Sequence, residues 1–350
     1  MLSYAHLDRS GWLPRLVRNG FAGPIHASPA TCALAAVLLL DSAHLQEEDA
    51  RRANRYGSSR HAKALPLYTR ADAQRAIPQF VPLPPGREAR IGQSTVSLSP
   101  VGHLLGACAV RLEHLGTRLV FSGDLGRSND LLMPPPEPVT EADVLVVEST
   151  YGNREHPAED SAMRLADIIN RTVRRGGCVV MPAFAVGRAQ ALMLMLRRLK
   201  RAGAIPTDLP VFLDSPMAAE ATAPYSKFER VLQHLKTRAP DSRNAIVLAG
   251  FQVGGSRGAR LVAGEREIKI FGEWVPVRAE VDQLAGFSAH ADRSELIAWM
   301  RQIKAPPRQT WVVHGEPDAA DALRVAIQRE LGWSVHVPQF GQSVVADAAP

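Results

Sequence analysis

Cysteine is scarce in this chain, and the three present, Cys32, Cys108 and Cys178, stand far apart. They make no C-x-x-C pair and no even-numbered framework, which argues against a disulfide-stapled fold or a cysteine-rich zinc module. A reducing cytoplasm is the compartment expected from this usage. Long apolar runs are missing too. The most apolar stretch, CALAAVLLL at residues 32–40, stops at Asp41, well short of the roughly 20 residues that cross a bilayer. No membrane segment is therefore expected. The opening residues carry no basic segment followed by an apolar one, so no secretory leader is read. Fixed-period repeats and low-complexity tracts are also absent, which removes solenoid and linker-like classes.

What is present fits a globular protein. The 350 residues are enough for two domains or one elaborated domain, and 46% are hydrophobic, enough for a sizeable core. Lysine and arginine number 41 against 35 aspartates and glutamates, a net charge of +6. That balance suits a polyanionic partner such as nucleic acid. An ordinary arginine-rich surface accounts for it equally well.

Residues 11–20, GWLPRLVRNG, read as a short helix closed by Gly20. A longer helix follows from Ser28, which can cap it, with Pro29 in its first turn. The basic, polar residues 51–63 read as a surface loop. After PLPPG the pattern turns to strands: STVSLSPVGH, then two β-rich runs around Gly116, then ADVLVVEST. The middle alternates strand and helix, which predicts a mostly parallel sheet covered by helices. Residues 266–290 read as a β-hairpin-like stretch, followed by a helix, a strand ending at His314, and a last helix.

One regularity carries chemistry. His103, Asp124, Glu148, Asp214, His290 and His314 lie at or just beyond the ends of apolar runs. In open α/β sheets that rim is where ligands bind. A lone strand-end histidine is more often a hydrogen-bonded loop residue, and Asp before Gly is a common turn former. Together with His6 and Asp8 near the start, however, they make a set of imidazoles and carboxylates suited to zinc-type centres. A paired metal site can clamp both oxygens of a phosphodiester displacement and activate water.

In these residues the chain resembles the β-CASP group of metallo-β-lactamase-fold nucleases, RNA-processing enzymes related to the cleavage and polyadenylation endonuclease. The resemblance covers nearly the whole chain. It is carried by AHLDRSGWLPRL, SPVGHLLGA, VFSGDLGR, VLVVESTYGNR, MPAFAVGRAQALM, FLDSPMA, GFSAHAD and WVVHGE, in that order. The resemblance implies an α/β fold: a metallo-β-lactamase αββα sandwich, incomplete at the N-terminus, with an inserted, shortened β-CASP domain. The implied parts are residues 1–158, the insert at 159–254, and a closing RNA-metabolising segment at 255–350. It further implies two zinc ions. His6 and His103 would ligate the first, Asp8 and His314 the second, and Asp124 would bridge them. Glu148 and His290 would form the acid/base pair, with Asp8 also in the catalytic set. Single-stranded RNA is the implied partner, in a cleft between the domains. Arg188, at a strand-to-helix turn, is placed to meet a phosphate, and equally to support the turn. Self-association is left open.

Three departures from the family pattern stand out. The motif H-x-H-x-D-H reads Tyr4-Ala5-His6-Leu7-Asp8-Arg9, so Tyr4 and Arg9 replace two ligand histidines. Tyrosine ligates only as phenolate, and its reference pKa near 10 makes that costly. Arginine cannot ligate, and its charge opposes a second divalent cation. The chain also opens inside this motif, where the family has several preceding strands. Finally, the β-CASP part looks shortened near residues 228–230. Three readings stay open: a metal-dependent RNA phosphodiester hydrolase, a catalytically inactive relative that binds RNA or a partner, and a non-functional gene remnant.

Overall fold

A computed structural model describes residues 1–158, 160–183, 186–213, 235–250, 252, 255–270, 272–284 and 286–346. In chain order the helices are α1 (Leu7–Ser10), α2 (Leu13–Arg18), α3 (Pro29–Tyr56), α4 (Arg70–Ala76), α5 (Ser161–Arg174), α6 (Arg188–Arg201), α7 (Arg257–Val262), α8 (Arg293–Met300) and α9 (Pro317–Leu331). The strands are β1 (Ile25–Ala27), β2 (Phe80–Pro82), β3 (Glu88–Ile91), β4 (Ser94–Pro100), β5 (Cys108–His114), β6 (Thr117–Phe121), β7 (Val144–Glu148), β8 (Val179–Val180), β9 (Ala245–Ala249), β10 (Glu267–Ile270), β11 (Glu273–Pro276), β12 (Glu280–Leu284), β13 (Gln309–Val313) and β14 (Val335–His336).

Two compact units result: Met1–Glu155 with His290–Pro350, and His156–Ala289. The second is inserted into the first. Its return point falls at His290 because β12 pairs in parallel with β9. Residues 255–289, which the family resemblance groups with the closing segment, are thus compact with the insert. The apparent splice near residues 228–230 and the strand-end Asp214 lie outside the described residues.

The first unit is organised by a seven-stranded sheet of order β14-β13-β7-β6-β5-β4-β3. β3 to β6 form an antiparallel meander, while β6, β7, β13 and β14 pair in parallel. β7, reading VLVVE, is buried at four of its five positions. A parallel strand covered on both faces has this composition, because neither face meets water. Val96, Leu98, Cys108 and Val110 form a core cluster on β4 and β5. A smaller parallel pair, β1 and β2, accompanies the helices.

The long helix forms where the sequence predicts it. The Ser28 hydroxyl accepts from Thr31 N at 3.1 Å, and the helix ends at Gly57 with φ +60°. It runs through Tyr56, so residues 51–56 continue the helix, and the expected surface loop is confined to residues 57–63. None of the described helices is long and apolar enough to cross a membrane.

In the second unit β12, β9 and β8 form a parallel sheet, with β10 and β11 as an antiparallel hairpin. Helix α5 is fastened to β12 by arginines. Arg164 meets Asp282 at 2.6 Å, Arg171 pairs with both Glu280 and Asp282, and Arg175 meets Glu280 at 2.7 Å. Beneath them Ile246, Leu248, Leu261, Ile268 and Ile270 form the core.

The helical layer of the first unit holds a buried carboxylate. Thr69 and Asp72 form a capping box at the start of α4, and Arg75 and Arg18 pair with Asp72. Burial raises the Asp72 carboxyl pKa, but the bonds from Thr69 and the two arginines outweigh it and hold it below the usual value. A depressed folded-state pKa contributes stability above the ordinary carboxylate value near 4, lost as the pH falls through the folded value. Asp72→Asn is expected to cost about 1–2 kcal/mol at pH 7. The gap from wild type should narrow below pH 4 in thermal melts monitored by circular dichroism.

Candidate metal centre

Strand direction explains why four polar residues meet. β4 and β6 are both antiparallel to β5, so they run the same way, and β7 and β13 run parallel to β6. The C-terminal ends of β4, β6, β7 and β13 therefore share one rim. His103, Asp124, Glu148 and His314 stand at or just after those ends.

His290 reaches the same place by another route. It is well past the end of β12 and just ahead of α8. An isolated bridge joins it to Gly126, and a second joins Gly102 to Leu125. These two bridges tie the loops carrying His103, Asp124 and His290. A Cβ on Gly126 would fall 2.3 Å from the Gly102 carbonyl carbon and 2.4 Å from His103 N, so only glycine permits the approach. Directly after His290, Ala291 N donates to Leu125 O at 2.8 Å, and the Asp292 side chain caps α8 by accepting from Glu295 N.

Glu148 is a buried strut, 1% exposed. Its carboxylate accepts Leu125 N at 3.0 Å and Thr150 N at 2.8 Å, and lies 3.3 Å from His290 Nδ1. Two backbone donors fix the carboxylate, and the carboxylate in turn fixes the imidazole ring. Ser122 adds a further brace by accepting Glu148 N at 3.0 Å. His314 adopts φ +60°, a left-handed conformation uncommon for a side-chain-bearing residue. Thr150 holds it by donating to its carbonyl at 3.2 Å. Ser122 and Thr150 belong to no ligand or acid/base pattern in the sequence. Their only signal is adjacency to site residues, within FSGD and VEST.

The histidine rings cluster. His103 lies 4.4 Å from His290 and 5.4 Å from His6 between ring centroids, and Tyr4 packs edge-on at 5.5 Å from His103 and 5.4 Å from His6. Two donor groups emerge on this rim, each with one ligand atom per residue within 4.8 Å of the others. One is His103, Asp124 and His290; the other is Asp8, Asp124 and His314. Asp124 belongs to both. His6 stands beside the first group without being one of its three donors. Arg188 lies in the other unit, at the first turn of α6, where its guanidinium donates to the Ala249 carbonyl.

The two replaced positions have their own partners. The Tyr4 side chain is fully buried, and its hydroxyl lies 2.7 Å from Asp124 Oδ2 and 2.8 Å from Asp8 Oδ2. Arg9 Nε donates to that hydroxyl at 2.9 Å, and Arg9 Nη2 donates to Asp124 Oδ1 at 3.1 Å. Arg9 Nε is also 3.4 Å from Asp8 Oδ2. His314 closes the set, with Nε2 at 3.2 Å from Asp8 Oδ2 and Nδ1 at 3.2 Å from Asp124 Oδ1.

Charge follows geometry. Burial pushes the Asp124 carboxyl pKa up, but the imidazoles of His103, His290 and His314 and the Tyr4 hydroxyl outweigh it and hold it down. Asp8 behaves alike: burial raises it, and bonds from His314 and Tyr4 with the charges of His6 and Arg9 prevail. Burial, then the charges of Asp124 and Asp8, drive the Tyr4 phenol far above its ordinary range, so it stays a neutral donor. Burial opposes the charge of Arg9, but Tyr4 and Asp124 restore and raise its pKa.

The two groups fit a zinc ion unequally. Zinc takes three or four nitrogen and oxygen ligands at about 2.0–2.2 Å. His103, Asp124 and His290 offer two imidazoles and a carboxylate, a suitable set. In the other group a guanidinium already stands in ion-pair contact with both carboxylates, and the adjacent phenol oxygen accepts from the same arginine. That arrangement does not suit a divalent ion.

Removing the Tyr4 hydroxyl tests this bonding apart from packing. Tyr4→Phe keeps the buried ring and deletes a hydroxyl whose single hydrogen is shared between two carboxylates and whose oxygen accepts from Arg9. The expected loss is about 1–3 kcal/mol, read as a lower urea midpoint. An unchanged midpoint would show that the hydroxyl network contributes nothing.

Comparison with known proteins agrees with this geometry. The family described as "Zn-dependent metallo-hydrolase RNA specificity domain" matches residues 274–338. Ribonuclease TTHA0252 of Thermus thermophilus is 30% identical over 403 residues, covering 98% of this chain and 87% of that protein. The aligned span exceeds the 350 residues of the chain, so it includes positions present only in the relative. Transcription termination factor FttA of Pyrococcus abyssi is 31% identical, covering 97% of this chain but only 60% of that protein. Among solved structures, a protein of unknown function from Enterococcus faecalis V583 shares the fold, with a TM-score of 0.50 at 14% identity over 97% of this chain and 79% of that one. By its sequence relatives, its α/β architecture and its inserted unit, the chain belongs to the β-CASP group of metallo-β-lactamase-fold RNA-processing nucleases, a zinc-dependent hydrolase family.

Proposed function

We propose that this chain hydrolyses phosphodiester bonds of single-stranded RNA in the cytoplasm, using a metal-activated water. The observation that carries the reading is the Glu148–His290 pair, seated beside His103 and Asp124 on one rim. The ribonuclease among the relatives and the net charge of +6 support RNA as the substrate class. The absence of any cysteine pair supports a reducing compartment.

His103 and Asp124 would hold the ion, with His6 and His290 in ring contact with His103. Bound there, zinc would polarise a phosphoryl oxygen and lower the pKa of water. The remaining chemistry belongs to the chain's own groups. Glu148 engages Nδ1 of His290, which favours the proton on that nitrogen and leaves Nε2 as the one available for transfer. His290 then donates its proton from Nε2 to the departing oxygen, and Glu148 stabilises the charged ring that precedes transfer. Ser122 and Thr150 position Glu148 and His314.

A second reading, binding of RNA without cleavage, is favoured by one specific observation: Arg9 bridges Asp8 and Asp124. Incubation of the full chain with end-labelled single-stranded RNA separates the two. The hydrolase reading expects chelator-sensitive product that disappears in Asp124→Ala and falls by about 10²–10⁴-fold in His290→Ala. Salt-dependent retention of the RNA with no product in any buffer would establish the binding reading instead.

A further inference from the structure

We propose that the Arg9 guanidinium is a built-in substitute for a second divalent ion: it occupies the Asp8–Asp124–His314 group, which therefore takes no metal. The inference rests on the reading of this rim as a metal centre and does not depend on RNA turnover.

Geometry carries it. A cation that bridges two carboxylates must approach an oxygen of each: Arg9 Nη2 donates to Asp124 Oδ1, and Nε, which donates to Tyr4, stands 3.4 Å from Asp8 Oδ2 as an ion pair. The oxygens it reaches, Asp8 Oδ2 and Asp124 Oδ1, are the same ones that face the two nitrogens of His314. An ion there would have to ligate oxygens that already face a fixed positive charge at 3.4 and 3.1 Å. The conflict cannot be relieved by proton loss, because a guanidinium keeps its charge at every pH a folded protein meets. The Tyr4 hydroxyl is already engaged: its single hydrogen is shared between Asp124 Oδ2 and Asp8 Oδ2, and its oxygen accepts from Arg9 Nε.

The substitution also supplies positive charge where the buried carboxylate needs it. Asp124 is 3% exposed at its side chain and needs a neutralising partner; Arg9 supplies one that is covalently part of the chain. Planar donors at fixed spacing suit two carboxylate oxygens better than a lysine ammonium would. Seen this way, the replacement of a ligand histidine by arginine exchanges an ion that must be captured from solution for one that is always present. The ion position at His103 and Asp124, on the other side of the shared carboxylate, is left as it was.

The test counts metal in the full chain. Wild type, Arg9→His, His314→Ala and the double variant Arg9→His/His314→Ala are stripped with chelator and titrated with zinc, and bound zinc is read by calorimetry and by atomic absorption. Circular dichroism confirms folding of each. Arg9→His should bind one equivalent more than wild type, because an imidazole at position 9 joins Asp8, Asp124 and His314 in a four-ligand set. The double variant should lose that extra equivalent, and His314→Ala alone should match wild type. A wild-type count that drops in His314→Ala would overturn the proposal, as would folded Arg9→His at the wild-type count. If Arg9→His fails to fold, the comparison of wild type with His314→Ala still decides. Failure of the RNA assay with these counts intact would remove the hydrolase reading and leave the assignment of Arg9 standing.

Discussion

A carboxylate that is nearly sealed from solvent must be neutralised, and Asp124 is that carboxylate in this protein. Every unusual feature of the rim serves it. Three histidines surround it, a buried tyrosine donates to one oxygen, and an arginine donates to the other. Truncating one partner of such a buried pair typically costs about 3–5 kcal/mol, against about 1 kcal/mol for an ordinary hydrogen bond. The site is therefore part of what holds the first unit together.

The fold delivers these groups by simple means. Parallel and alternate antiparallel strands end at one edge, so side chains far apart in sequence arrive there on rigid supports. Two backbone bridges and one obligatory glycine draw the loops close enough for His103, Asp124 and His290 to share a space. The buried Glu148 then couples the sheet to His290 through its carboxylate, which is held by the backbone N–H groups of Leu125 and Thr150. The same carboxylate thus serves packing and, on the proposed reading, proton transfer.

Much of this was legible in the sequence. The strand-end pattern pointed to His103, Asp124, Glu148 and His314 because a strand that stops at a polar residue leaves it at a rim. The capped long helix and the β–α alternation of the middle were equally readable from Ser28 and from hydrophobic period. His290 was less so: a coil and a bridge to Gly126 place it, and neither leaves a periodic mark. Tyr4 and Arg9 were legible only as departures, as residues that could not ligate. Their bonds to Asp8 and Asp124 span up to 120 positions and depend on a buried geometry that no local pattern encodes. The surface loop expected over residues 51–63 is helix as far as Tyr56 and non-helical only from Gly57, because charged residues with good helix propensity extend a helix as readily as they end it.

Arginine in place of a ligand also changes what the family chemistry can be here. A centre whose second cation is a guanidinium keeps its carboxylates oriented whether or not metal is available, and offers one ion position instead of two. The most direct measurement of this is anomalous diffraction at the zinc edge from crystals of the full chain grown with zinc. The predicted map shows no anomalous peak among Asp8, Asp124 and His314, with the Arg9 side chain in density between the two carboxylates. A zinc peak at about 2.0–2.2 Å from Asp8 and His314, with Arg9 displaced, would contradict it.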